Sequence, residues 1–167
     1  MGRLPASFAN KVIQSRFPYE LSGELVSATT APIQFPEATF LNSVDKPFEI
    51  HRMIPRVYAL DAANLLIDEQ PDQELLAGLV RIKVTDLGLD QILTKNPTLI
   101  GVLTKGSSER TWEWAEPHTL VRSNQMQVIV ELLAFPAAFA EAGIISLKIA
   151  IAFEGFLLVL APASENR

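Results

Sequence analysis

The sequence predicts an all-β protein, an antiparallel β-sandwich or jelly roll with one or two short helices and an extended N-terminal arm. Three observations lead there. Segments such as Val80-Arg81-Ile82-Lys83-Val84-Thr85, Met126 to Leu132 and Leu147 to Phe153 alternate apolar and polar residues, as strands with one wet face do. Pro32, Pro36 and Pro47 punctuate the stretch from Ser22 to Pro47, which favours edge strands and turns over helix. The extended segments number about eight, with returns long enough to cross an end of the domain, and they suit two packed sheets.

The 167 residues fit one domain with a sizeable core. There is no internal repeat and no inter-domain linker, so the chain divides into an arm (1–22), a single domain (23–162) and a short polar tail (163–167). In the arm, Phe8, Val12 and Ile13 share helical spacing behind Ser7, between Pro5 and Pro18, which predicts a short amphipathic helix. Arg3, Leu4, Phe8, Lys11, Arg16 and Phe17 make this arm both basic and apolar. It is therefore the first candidate for binding a partner, or else it packs on its own barrel.

Lys46 to Pro55 reads as the central strand, with Phe48 and Ile50 on one face, Glu49 and His51 on the other, and a proline at each end. Asp61 to Asp68 suits either a helical turn or a strand, and Glu69 to Glu74 reads as a polar loop. Leu79 to Thr85 is a strand turned by Asp86-Leu87-Gly88. Asn96-Pro97 then resembles a helix start, with a short helix to Gly106. Thr111 to Trp114 is an aromatic strand, and Arg122 to Leu133 a longer one. Phe135 to Gly143 is a small helix ended by glycine. Ile145 to Phe153 and Phe156 to Leu160 form two last strands on either side of Gly155. The predicted core is Phe48, Ile50, Val80, Ile82, Val84, Met126, Val128, Val130, Leu147, Ile149, Ile151 and Phe153.

Composition narrows the function. A formal net charge of -5 argues against broad nucleic-acid binding, which needs a dominant basic surface. Met1 to Arg16 has no signal-peptide h-region. Ile144 to Leu160 approaches membrane length, but a spanning helix would bury Lys148 and Glu154 at about 2.5–3.5 kcal/mol each. With no cysteine there is no disulfide, thiolate site or Cys nucleophile.

The two histidines, His51 and His118, lack metal-ligand spacing. They are placed on a sheet face and in a loop beside Pro117. Gly106-Ser107-Ser108 lacks the second glycine of a nucleophile elbow and the order of a phosphate loop. Glu109, Glu113 and Glu116 flank Trp112 and Trp114, a combination known from sugar-cleaving clefts. On a strand, however, Trp112 and Trp114 share one face, which packs on the core or on a partner. No catalytic residue, cofactor or metal is expected, and the chain is not expected to be an enzyme.

Val44-Asp45-Lys46-Pro47-Phe48-Glu49-Ile50-His51-Arg52, Gly106-Ser107-Ser108-Glu109-Arg110-Thr111-Trp112 and Trp114-Ala115-Glu116-Pro117-His118-Thr119-Leu120 together resemble the jelly-roll cement or decoration proteins of tailed-bacteriophage heads. The resemblance spans roughly residues 40–160 and implies a structural virion protein that binds and stabilises the outer surface of a capsid lattice. It implies contact with the major capsid protein and with copies of itself, without nucleic acid or membrane. The chain would reside on the outer capsid surface, after passing through the host cytoplasm before assembly. Partner contacts would fall on Arg3, Leu4, Phe8, Lys11, Arg16, Phe17, Trp112 and Trp114. The competing reading is a carbohydrate-binding or cupin-like module that presents Trp112 and Trp114 as a platform.

Overall fold

A computed structural model describes residues 11–29, 33–94, 96–105 and 111–162. In chain order its strands are β1 (Lys11–Val26), β2 (Ala38–Leu41), β3 (Phe48–Leu60), β4 (Val80–Asp86), β5 (Gln91–Ile92), β6 (Thr98–Leu99), β7 (Trp112–Leu120), β8 (Gln125–Leu132) and β9 (Ser146–Pro162). Helices α1 (Gln73–Leu79), α2 (Ile100–Leu103) and α3 (Ala137–Glu141) fill the connections. One sheet has the order β1-β9-β3-β7, the other β2-β8-β4-β5 with β6 also on β4. All pairings are antiparallel. The chain changes sheet between β1 and β2, β2 and β3, and β3 and β4, then again from β6 to β7, β8 and β9. The first and last strands end as neighbours. This is the jelly-roll arrangement of an all-β sandwich.

The alternating segments place their apolar sets between the sheets. Phe48, Ile50, Val80, Ile82, Val84, Met126, Val128, Val130, Leu147, Ile149, Ile151 and Phe153 are all buried, as expected. Phe40 of one sheet meets Phe153 of the other edge-on, with ring centroids 5.2 Å apart, a favoured aromatic geometry.

Several boundaries differ from the sequence reading. Residues 11–22 belong to an edge strand, not a helix or a separate arm. β1 crosses residue 22 without a break and pairs with β9 from Lys11↔Pro162 to Val26↔Lys148. The 17-residue β9 offers a partner over that whole length, and such pairing overrides a weak helical pattern. Pro18 is tolerated because, among the described strands, β1 has a neighbour on one side only.

Pro55 likewise does not end β3. Described pairing with β7 stops at Met53↔Trp112, so Pro55, opposite Ile151, lies where β9 alone among the described strands flanks β3. Gly155 does not divide β9 either. β3 and β9 lie so close there that a Cβ would overlap the Glu49 carbonyl, beside the register shift between Ile50 and Arg52. Glycine permits that approach.

The polar loop ends in α1, capped by the Asp72 carboxylate, which accepts from Glu74 N at 2.9 Å. α2 starts at Ile100 instead of Pro97, because Thr98 and Leu99 pair with Ile82 and Arg81. α3 ends before Gly143, whose φ of 77° suits glycine.

Candidate partner-binding end of the sandwich

At one end of the first sheet the strands stop at different heights. β3 pairs with β9 from Leu60↔Ser146 to Phe48↔Leu157, and Leu158 N donates the last bond to Pro47 O at 2.9 Å. The chain before Pro47 is then pulled away from β9. The buried Asn42 amide holds that bend, donating to Lys46 O and Leu120 O at 3.0 Å each and accepting from Val44 N at 3.3 Å. Among the described strands β9 continues through Val159 to Pro162 with β1 alone, so a two-stranded ribbon outruns the described sandwich.

The step between ribbon and sandwich is a notch of about 400 Å³. Pro47, Val121, Leu158, Val159 and Leu160 supply apolar walls, while Lys11, Lys46, Arg122 and Asp45 supply charge. Among the described residues the lining carries three cations and one acid, on a chain whose net charge is -5. Arg122 Nη1 meets Asp45 Oδ1 at 2.7 Å, but both side chains are well exposed, so the pair adds little stability. Nearby, Phe17 is 52% exposed and Val12 51%. Lys46 Nζ lies 6.0 Å from the Phe17 ring centroid, at the outer limit of a cation–π contact. The volume is in the range of binding pockets, and apolar walls with a few charged groups are their usual make-up.

Of the candidate contact residues, Lys11, Arg16 and Phe17 come together on β1. Arg3, Leu4 and Phe8 lie outside the described residues. Arg16 is turned onto the sheet, its Nε 3.3 Å from Glu49 Oε1. His51 Nε2 lies 2.9 Å from the same oxygen. The Glu49 side chain is only 5% exposed, and a buried carboxylate requires such partners.

Trp112 and Trp114 lie on β7, separated from β1 by β9 and β3. Trp112 stands opposite buried Met53. The two indoles sit 4.4 Å apart, and Trp114 lies 6.3 Å from Phe153. They are half-buried against the core, and Trp114 Nε1 is buried with no hydrogen-bond partner among the described residues. Such a placement favours packing over an open sugar platform.

His118 is not in a loop. It belongs to β7, and its Nε2 lies 2.8 Å from Oδ2 of the fully buried Asp86 on β4. Asp86 Oδ1 also accepts from Gly88 N and Leu89 N at 2.8 and 3.2 Å. The pair thus ties one sheet to the other. Glu113 and Glu116 are exposed, while Ser107, Ser108 and Glu109 lie outside the described residues. Among the described residues no group of three or more acids and histidines could hold a metal ion.

Sequence reasoning missed Arg122, Val121, Val159 and Leu160 as site residues, and saw Lys46 only as the flank of a strand. Their grouping depends on where β3 ends relative to β9, for which no local signal exists. No family model, curated protein or solved structure matches the chain. Fold and site together define a jelly-roll sandwich with a basic, apolar notch beside a protruding ribbon.

Proposed function

We propose that this protein is a structural capsid cement or decoration protein, attached by its ribbon end to the outer surface of a phage head and stabilising the lattice. One observation carries the reading: exposed Val12 and Phe17 lie beside a cation-rimmed notch on an otherwise acidic β-sandwich. Apolar groups at the centre of a patch with charges around it form the usual anatomy of a protein–protein contact. The opposite sign of the rim would steer approach to an acidic lattice. Jelly-roll sandwiches are a recurrent viral-capsid architecture, which gives the lattice reading support by analogy of fold alone.

Co-sedimentation with phage heads lacking this chain tests the reading. The chain is expected to pellet with the heads in saturable amounts and to raise the temperature at which they release DNA. A chain that stays in the supernatant at every ratio would rule the reading out.

A further inference from the structure

The ribbon that carries one wall of the notch differs in three ways from the strands it extends. Among the described strands, Lys11 to Ser15 and Val159 to Pro162 have only each other as neighbours. The ladder between them is interrupted at Gln14, which is left out between the pairs Ile13↔Leu160 and Ser15↔Val159. This bulge falls close to the point where β3 leaves β9, at the bond from Leu158 N to Pro47 O. None of residues 11–15 and 159–162 is buried, whereas Leu158, one position inward, is fully buried.

Each feature weakens the ribbon relative to the sandwich. A two-stranded ladder with no further strand or covering layer is marginal in water. A bulge disrupts the ladder locally and bends its strand, so Gln14 can act as a hinge. Regions with few buried apolar groups open while the rest of a protein stays folded. The apolar pairs Val12↔Ala161 and Ile13↔Leu160 favour the closed form.

We propose that the ribbon is a clasp that opens and closes while the sandwich stays folded, and that attachment holds it closed. The second part rests on the attachment reading above. The contact region draws Val12 and Leu160 from the ribbon, and Phe17, Pro47 and Val121 from the sandwich end. A partner seated across both sets has its full contact only with the ribbon closed, so it shifts the ribbon towards that form.

Amide hydrogen exchange on the full chain, read by mass spectrometry with fragmentation, follows the clasp. The reference is residues 19–25 of β1, the part of the same edge strand that β9 ties to the sandwich. The slowest amides of residues 11–15 and 159–162 are expected to exchange about a hundredfold faster or more than the slowest of 19–25. Phage heads lacking this chain, added in excess, should slow the ribbon amides by about tenfold or more. The chain has no cysteine, so a designed bridge forms without competition. Val12→Cys with Ala161→Cys and, separately, Ile13→Cys with Leu160→Cys occupy facing positions. Adjacent pairs alternate between closer and wider spacing, so one of the two suits a disulfide. Oxidising that variant should slow its ribbon exchange relative to its own reduced form.

Ribbon amides as slow as those of residues 19–25 would overturn the inference. So would equal ribbon exchange in the oxidised and reduced forms. If the chain pellets with heads and ribbon exchange does not change, the clasp has no part in attachment; the inference fails and the attachment reading stands. If the ribbon opens and the bridge closes it but the chain never pellets, the attachment reading fails and the opening stands.

Discussion

Replacing His118 by alanine should destabilise the fold well beyond the usual effect of a surface histidine. In the native structure Asp86 is fully buried, and its carboxylate has three donors: His118 Nε2 at 2.8 Å and the amides of Gly88 and Leu89. His118→Ala leaves the two amides in place and removes the donor that reaches across from the other sheet. A hydrogen bond to a charged group is worth about 1.5–3 kcal/mol. In a domain of this size that corresponds to a fall of about 3–12 °C in thermal midpoint.

The cleanest assay is a double-mutant cycle with Asp86→Asn, read by equilibrium urea unfolding. The amide oxygen introduced by Asp86→Asn would still accept from the two turn amides, while the charge is lost. The coupling between the positions should be about 1–3 kcal/mol. A coupling below about 0.5 kcal/mol, the level of independent sites, would refute the view that the pair fastens the sheets together.

Gly155→Ala should cost at least about 1–3 kcal/mol, the range for overpacking, because the new methyl would meet the Glu49 carbonyl and not a flexible side chain; chemical denaturation measures it. Ile149→Ala, at a fully buried position on β9, should cost about 2–5 kcal/mol, and a change near zero would contradict its assigned face. Deleting residues 1–22 should destroy cooperative folding, since it strips most of β1 from β9. A deleted chain that melts cooperatively near the wild-type midpoint would show that β1 is dispensable.

The alternation in residues 80–85, 125–132 and 147–153 determined the sandwich class and the buried face of each strand. Side chains on a strand point to opposite sides in turn, so that information is local and survives without a partner. Gly143, just past the end of α3, was legible in the same local sense. The extent of each strand was not. Val12, Phe17 and Pro18 became an edge strand, Pro55 sits within β3 and Gly155 within β9 because of which strand lies alongside. The His118–Asp86 pair joins residues 32 positions apart on different sheets. The notch exists because β9 outruns β3 and Asn42 bends the chain at Lys46. Strand ends and gaps between them arise from non-local pairing, so tertiary structure alone decided them.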